Sequence, residues 1–249
     1  MKYQRLKITI EECLQMQHPF GYKVEYHDGE AVLQPQELYI DGHLILTPHK
    51  TQRCHHYEVV RTNHQQAMTE AFFNAFQDTV EFCNWPKDDI RKHAEKNIDD
   101  YFSGVRGEPN PASRLLRDKT GAITALVLFI TTKSGQTKLD LLLVLPDSQR
   151  RGIAADMVAS ACNELQQQGI SEIYSSWHVL NETSQHWHHR FGFTDVYNQY
   201  FIERKFSWYR GEIKRLESQD ITEGVEELRQ QKDRWYSLMD EKWQSFSRN

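Results

Sequence analysis

The sequence predicts a mixed α/β fold, a mostly antiparallel sheet flanked by helices, with a β-rich extension at the N-terminus and a helical one at the C-terminus. Three observations predict it. Apolar stretches at residues 113–117, 122–132 and 137–145 alternate with turn signals at 118–121 and 133–136, the pattern of an antiparallel meander. The last of these stretches runs through Pro146 into a short polar loop, a helical pattern and another apolar stretch; strand, helix and strand require a right-handed crossover that makes the two strands parallel. Ahead of the meander, residues 65–82 and 87–102 carry apolar positions at helical spacing.

Up to about residue 50 the chain reads as short strands. Asp28-Gly29 separates YKVEYH from EAVLQ, and Asp41-Gly42 separates ELYI from HLIL. Asp-Gly between β-rich runs predicts a type I′ hairpin, because both central residues need positive φ. Two such hairpins give a small meander, too small to be stable alone and so expected to dock on the main domain. HHYEVVR, residues 55–61, is the expected first strand of that domain.

A helix over residues 65–82 follows from Met68, Ala71, Phe72, Ala75, Phe76 and Val80, with Trp85-Pro86 as its stop. The next helix, KDDIRKHAEKNIDDYF, places Ile90, Ala94, Ile98 and Phe102 on one face, and GVRGEPNP is a loop. After the meander, residues 153–168 form a helix with Met157, Ala161 and Leu165 on one side, ended by Gly169. Residues 170–180 read as a strand. A helix with His186, Trp187 and Arg190 then leads to Phe191-Gly192-Phe193, followed by two last strands through Phe206. From about Gly211, Val225, Leu228, Trp235, Leu238, Met239, Trp243 and Phe246 recur near helical spacing and predict one or two long helices. Packing on the chain's own core is their first reading, and a homodimer contact the second.

A chain of 249 residues is long enough to bury a sizeable core, as one large domain or a domain with additions. Its formal net charge of −5 suggests no nucleic-acid or anionic-membrane surface. Cys13, Cys54, Cys83 and Cys162 are scattered without a C-x-x-C pair, which reads as reduced thiols in a cytoplasmic protein. The longest apolar runs are far too short to span a bilayer, and Glu11 and Glu12 interrupt any N-terminal signal sequence. His49, Cys54, His55 and His56 cluster as possible zinc ligands. No second set at matched spacing accompanies them, and adjacent histidines on a strand point to opposite faces, so no metal is expected.

The stretch LDLLLVLPDSQRRGIA, residues 139–154, carries most of the functional information. A strand that stops at a small-residue loop and a helix N-terminus is a place to hold a phosphate: the loop N–H groups lack intrahelical partners and the helix dipole favours negative charge. The spacing is neither that of a P-loop nor that of a dinucleotide fingerprint. Val144 and Pro146 before the loop, QRRGIA within it, and Asn181 followed by a helix into Gly192-Phe193 come in the order and spacing of the GCN5-related N-acetyltransferase (GNAT) family, which this chain resembles over residues 55–206. On that basis residues 1–54 are a β-hairpin extension, 55–206 the transferase domain and 207–249 a helical extension.

The resemblance implies acetyl-CoA as co-substrate and transfer of its acetyl group to a primary amine of a small-molecule or peptide acceptor, by direct attack in a ternary complex. The CoA pyrophosphate would lie on the loop formed by Gln149, Arg150, Arg151, Gly152, Ile153 and Ala154, with the two arginines adding charge and Gly152 allowing close backbone approach. Backbone groups of Leu143, Val144 and Leu145 would receive the pantetheine arm, and one of their N–H groups would face the thioester oxygen. Asn181 matches a position that often contacts the cofactor, and it also suits a helix N-cap.

At the position where the family often carries a tyrosine, four residues before Gly192, this chain has His188. It is either the acid for the departing thiolate or a polar helix position that touches CoA. Asp140, expected on the same side of its strand as Val144 by two-residue alternation, is the candidate base, with a salt-bridged aspartate as the plainer reading. The missing tyrosine also leaves room for a non-catalytic acyl-CoA-binding or protein-interaction module.

Overall fold

The computed structural model describes residues 3–49, 51 and 56–246. Its first elements are β1 (Gln4–Lys7), α1 (Ile10–Gln15), β2 (Tyr22–His27), β3 (Glu30–Pro35), β4 (Tyr39–Ile45) and β5 (Glu58–Val59). Then come α2 (Gln65–Phe76), α3 (Lys87–Phe102), β6 (Glu108–Pro109), β7 (Arg114–Arg117), β8 (Ile123–Thr131) and β9 (Thr137–Val144). The chain closes with α4 (Ile153–Gln167), β10 (Glu172–His178), α5 (Glu182–Phe191), β11 (Thr194–Val196), α6 (Gln199–Ser218) and α7 (Val225–Phe246).

These elements form two compact units that interleave along the sequence, one made of residues 41–177 with 181–195, the other of residues up to 40, 178–180 and from 196 onward. The larger unit is built on an eight-stranded sheet in the order β11-β4-β10-β9-β8-β7-β5, with β6 added beside β8. The meander β7-β8-β9 is antiparallel, and β10 runs parallel to β9. Strand β8 is buried on both faces. Leu126, Leu128 and Ile130 join Met68, Phe72, Ile90, Ala94 and Ile98 of α2 and α3 in one cluster. The alternate residues Ala125, Val127 and Phe129 are equally buried, on the opposite face by strand periodicity, where α4 packs with Met157, Val158, Ala161 and Leu165 buried. Covering both faces explains why this strand is a continuous apolar run without alternation.

In the smaller unit, β1-β3-β2 form a three-stranded antiparallel sheet, and α6 and α7 pack against each other. The Asp28-Gly29 turn is the expected one, with φ of 49° and 81°. Tyr197 and Phe201 stack at 5.0–5.8 Å from buried Trp235. No helix among the described residues is long and apolar enough to cross a membrane.

Several expectations change. Asp41-Gly42 makes no hairpin and lies inside β4, where a Cβ at residue 42 would run into the Trp177 ring: that glycine serves close packing and no turn. The strand expected at 55–61 is only Glu58–Val59. The helix expected over 65–82 stops at Phe76 and is followed by a 3₁₀ turn at Val80–Phe82, while Pro86 opens α3 as its N-cap. The two closing strands are one, β11; residues from Gln199 continue as helix because α7 provides a face for their aromatic side chains. Cys54 and His55 of the zinc reading lie outside the described residues.

Candidate functional site

Strand β9 has two unlike edges. Toward β8 it is paired from Thr137 to Val144, and the Leu145 amide extends the ladder by donating to Thr124 O at 2.9 Å. By the alternation of an antiparallel ladder, the backbone groups of Leu143 and Leu141 also face β8, while those of Val144 and Leu142 face the other edge. On that edge the register with β10 holds at Tyr174 opposite Lys138, and no register pair follows it toward the C-terminal end of β9. The register between the two parallel strands therefore stops at Lys138, short of the loop. Of the three residues expected to receive a pantetheine arm, Val144 presents its N–H to the gap, while Leu143 and Leu145 are committed to β8. The Val144 carbonyl accepts from Gln149 Nε2 at 2.9 Å, which holds the loop's first expected residue against the strand.

The loop itself is a 3₁₀ turn at Pro146–Ser148 followed by Arg150 at φ 59° and Gly152 at φ 77°. Positive φ at a non-glycine residue is uncommon and here curls the chain back over the start of α4. Gly152 is the N-cap of α4 and offers no side-chain cap; the first helical bond runs from the Asp156 amide to Gly152 O at 3.0 Å. Among the described residues, no acceptor is within hydrogen-bond reach of the amides of Arg150 through Ala155. Arg150, Arg151 and Gly152 are exposed, and Ile153 is buried beneath them as an anchor. A Cβ at Gly152 would meet nothing within 4 Å, so the face above the loop is open. Free amides, a positive helix terminus and two guanidiniums fit a pyrophosphate.

His188 is elsewhere. Its ring is 4% exposed, stacked on Trp177 at 4.3 Å, with Nε2 3.0 Å from Ser175 Oγ and Nδ1 2.8 Å from Ser184 O. Burial depresses its pKa to about 4, against the opposing pull of the Ser184 carbonyl. Such an imidazole is neutral at pH 7 and has both nitrogens engaged, so the structure does not offer it as an acid for a thiolate. His188 is a packed histidine that ties α5 to β10.

Asp140 also departs from expectation. The β8–β9 register jumps from Leu128 opposite Leu141 to Phe129 opposite Leu139, so Asp140 is the extra residue of a β-bulge. The bulge breaks the alternation that placed Asp140 beside Val144. Its carboxylate meets Arg106, with Nε–Oδ1 at 3.1 Å and Nη2–Oδ2 at 2.7 Å, and Arg106 also donates to Asn97 O of α3 at 3.0 Å. Both carboxylate oxygens are thereby engaged by the guanidinium fork.

Asn181 caps α5, its Oδ1 accepting from the Ser184 amide at 3.0 Å. Its Nδ2 donates to Glu81 Oε1 at 2.7 Å, and Glu81 Oε2 is buried without a hydrogen-bond partner. Sequence reasoning missed Glu81, which sits 100 residues from Asn181 with no local pattern to mark it. It also missed the role of Arg106, the one cation in the GVRGEPNP loop, although an unmatched arginine beside a helix end was a usable signal.

Comparison with known proteins adds to this geometry. The model of the acetyltransferase (GNAT) family matches residues 66–193, just over half of the chain. No curated protein matches the sequence. Among solved structures, a GCN5-related N-acetyltransferase from Sphaerobacter thermophilus has a TM-score of 0.45 at 15% identity, covering 64% of this chain and 48% of that one. A GNAT-family acetyltransferase from Staphylococcus aureus Mu50 has a TM-score of 0.45 at 14% identity, covering 57% and 86%. An aminoglycoside 6′-N-acetyltransferase from Acinetobacter haemolyticus has a TM-score of 0.39 at 14% identity, covering 57% and 93%. This chain thus spans about half the length of the Sphaerobacter protein. The family match covers the α2–α3 pair, the meander, the bare loop and α5, and the chain belongs to the acetyltransferase (GNAT) family.

Proposed function

We propose that this protein moves an acetyl group from acetyl-CoA to a primary amine of a small-molecule or peptide acceptor, by direct attack within a ternary complex. The observation that carries the proposal is the row of unpartnered amides from Arg150 to Ala155 at the start of α4. Acetyl-CoA supplies the activated acetyl thioester. The amides, with Arg150 and Arg151, hold its pyrophosphate, and Gln149 keeps the loop seated on Val144. Asn181 fixes the start of α5 at the end of the neighbouring strand. The Val144 N–H faces the gap between β9 and β10 and is the proposed donor to the oxygen on which negative charge develops. Asp140 and His188 transfer no proton in this reading, the first being bound to Arg106 and the second buried; as the amine nitrogen bonds the acetyl carbon and the carbon–sulfur bond breaks, the proton the amine loses ends on the departing CoA sulfur by way of solvent.

Thermal unfolding with and without acetyl-CoA tests the cofactor half. Ligand at a hundred times its Kd stabilises by about 2.7 kcal/mol, and no shift at saturation overturns the proposal. Incubation with a panel of amines and detection of free thiol tests the transfer. A second reading, an acyl-CoA-binding module without turnover, is favoured by the engaged state of His188; it predicts a thermal shift with CoA and no thiol release with any amine.

A further inference from the structure

The smaller unit contains a cleft of ≈ 290 Å³ between the N-terminal segment and α6. That volume is near the lower end of the range for small-molecule sites. Phe20 and Trp208 line one side, in edge-to-face contact at 6.0 Å, and the Trp208 Nε1 donates to His18 O at 3.1 Å, which fixes the wall.

Gly211, in the interior of the 20-residue helix α6, is among the lining residues. Apart from proline, glycine is the residue a helix interior tolerates least. Neither usual reason for it applies here. Its φ is not positive, and a Cβ would meet nothing within 4 Å. Gly211 is exposed, and its missing side chain leaves open the part of the cleft that it lines.

The charges around the cleft do not cancel. Arg215 and buried Glu212 neutralise each other, with Nε and Nη2 of the arginine 3.1 and 2.9 Å from Oε2. Arg204 is exposed and donates to Gln36 Oε1 at 2.6 Å; among the described residues it has no carboxylate partner. Lys205, behind the wall, places Nζ 3.9 Å from the Phe20 ring and likewise has no carboxylate partner among the described residues. Burial lowers its pKa to about 8, the mark of a cation lacking a counter-charge.

We propose that this cleft binds a small organic carboxylate with a flat apolar body, the carboxylate on the Arg204 guanidinium and the body between Gly211 and the Phe20–Trp208 wall. A planar guanidinium suits a carboxylate through paired N–H donors, and aromatic faces suit a flat ring. The site is independent of the acetyl-transfer reading.

Calorimetric titration of the full chain with phenylacetate and with phenylacetamide tests it. Phenylacetate is expected to bind at least about tenfold more tightly than its neutral amide. Gly211→Leu is expected to abolish binding of both, and Arg204→Gln to bring phenylacetate down to the level of the amide. Equal affinity for the two probes, wild-type binding in Gly211→Leu, or no binding of phenylacetate at millimolar concentration overturns the proposal. Should Gly211→Leu fail to fold by circular dichroism, Arg204→Gln decides, because its side chain is exposed.

Discussion

Helices α4 and α5 both begin at the loop end of the same sheet, and they begin in opposite ways. At α5 the first turn is closed from within: Asn181 accepts from the Ser184 amide and is itself held by Glu81. The same device closes α1, where Thr9 and Glu12 form a capping box, and α6, where Asn198 accepts from the Phe201 amide. At α4 the cap is a glycine, and six successive residues, 150–155, keep their amides free. Among the described residues, side-chain caps thus close α1, α5 and α6. At α4 no side chain does this, which is the feature the proposed pyrophosphate site rests on.

The largest expected effect concerns the closed helix. His188 in α5 is neutral in the folded chain down to about pH 4, while in the unfolded chain it takes a proton near 6.5. Between those values the unfolded state binds the extra proton, so stability falls as pH drops through that window, by up to about 3 kcal/mol. His49 and His64, whose pKa values are also lowered by burial, act in the same direction. Urea unfolding at pH 7 and pH 4.5 isolates the His188 share: His188→Gln is expected to lose less stability than wild type over that interval. Parallel losses in the two proteins would show that α5 is not closed over a neutral imidazole.

Next come two substitutions that separate the helix termini. Asn181→Ala removes the cap of α5 and the donor to Glu81, and is expected to cost about 1–2 kcal/mol in denaturant unfolding. Gly152→Asp gives α4 a carboxylate. The cost of a left-handed residue, roughly 1 kcal/mol, is offset by charge at the helix N-terminus, so stability changes little. Acetyl-CoA affinity, by contrast, is expected to fall more than about tenfold in Gly152→Asp through like-charge repulsion. If Gly152→Asp binds acetyl-CoA as wild type does, the bare terminus is not the anion site. The smallest effect belongs to the other unit: Gly211→Ala should raise stability by about 0.5–1 kcal/mol, because helix propensity favours alanine and a Cβ there meets no neighbour.

Local signals made the regular elements legible. Helix α3 matches its expected span, residues 87–102, because Ile90, Ala94 and Ile98 mark one face and Pro86 sets the start. The same dipeptide was legible at Asp28-Gly29 and illegible at Asp41-Gly42. The first is explained by its own φ angles, the second by a tryptophan more than a hundred positions away. Residues 200–206 read as strand because aromatic side chains are common there, and became helix because a partner helix faced them. The strand–loop–helix junction at 144–153 was legible because Pro146 and Gly152 mark it locally. Asp140 and His188 were not, because a one-residue bulge and a buried stack leave no periodic trace.

The bulge at Asp140 has a further consequence. Arg106 binds its carboxylate in a fork and also holds the carbonyl of Asn97, so the irregular part of β9 is fastened to the end of α3. The fork spans three elements, the loop after α3, the helix end and the bulged strand, so a truncation at Arg106 loosens the strand and the helix together rather than either alone.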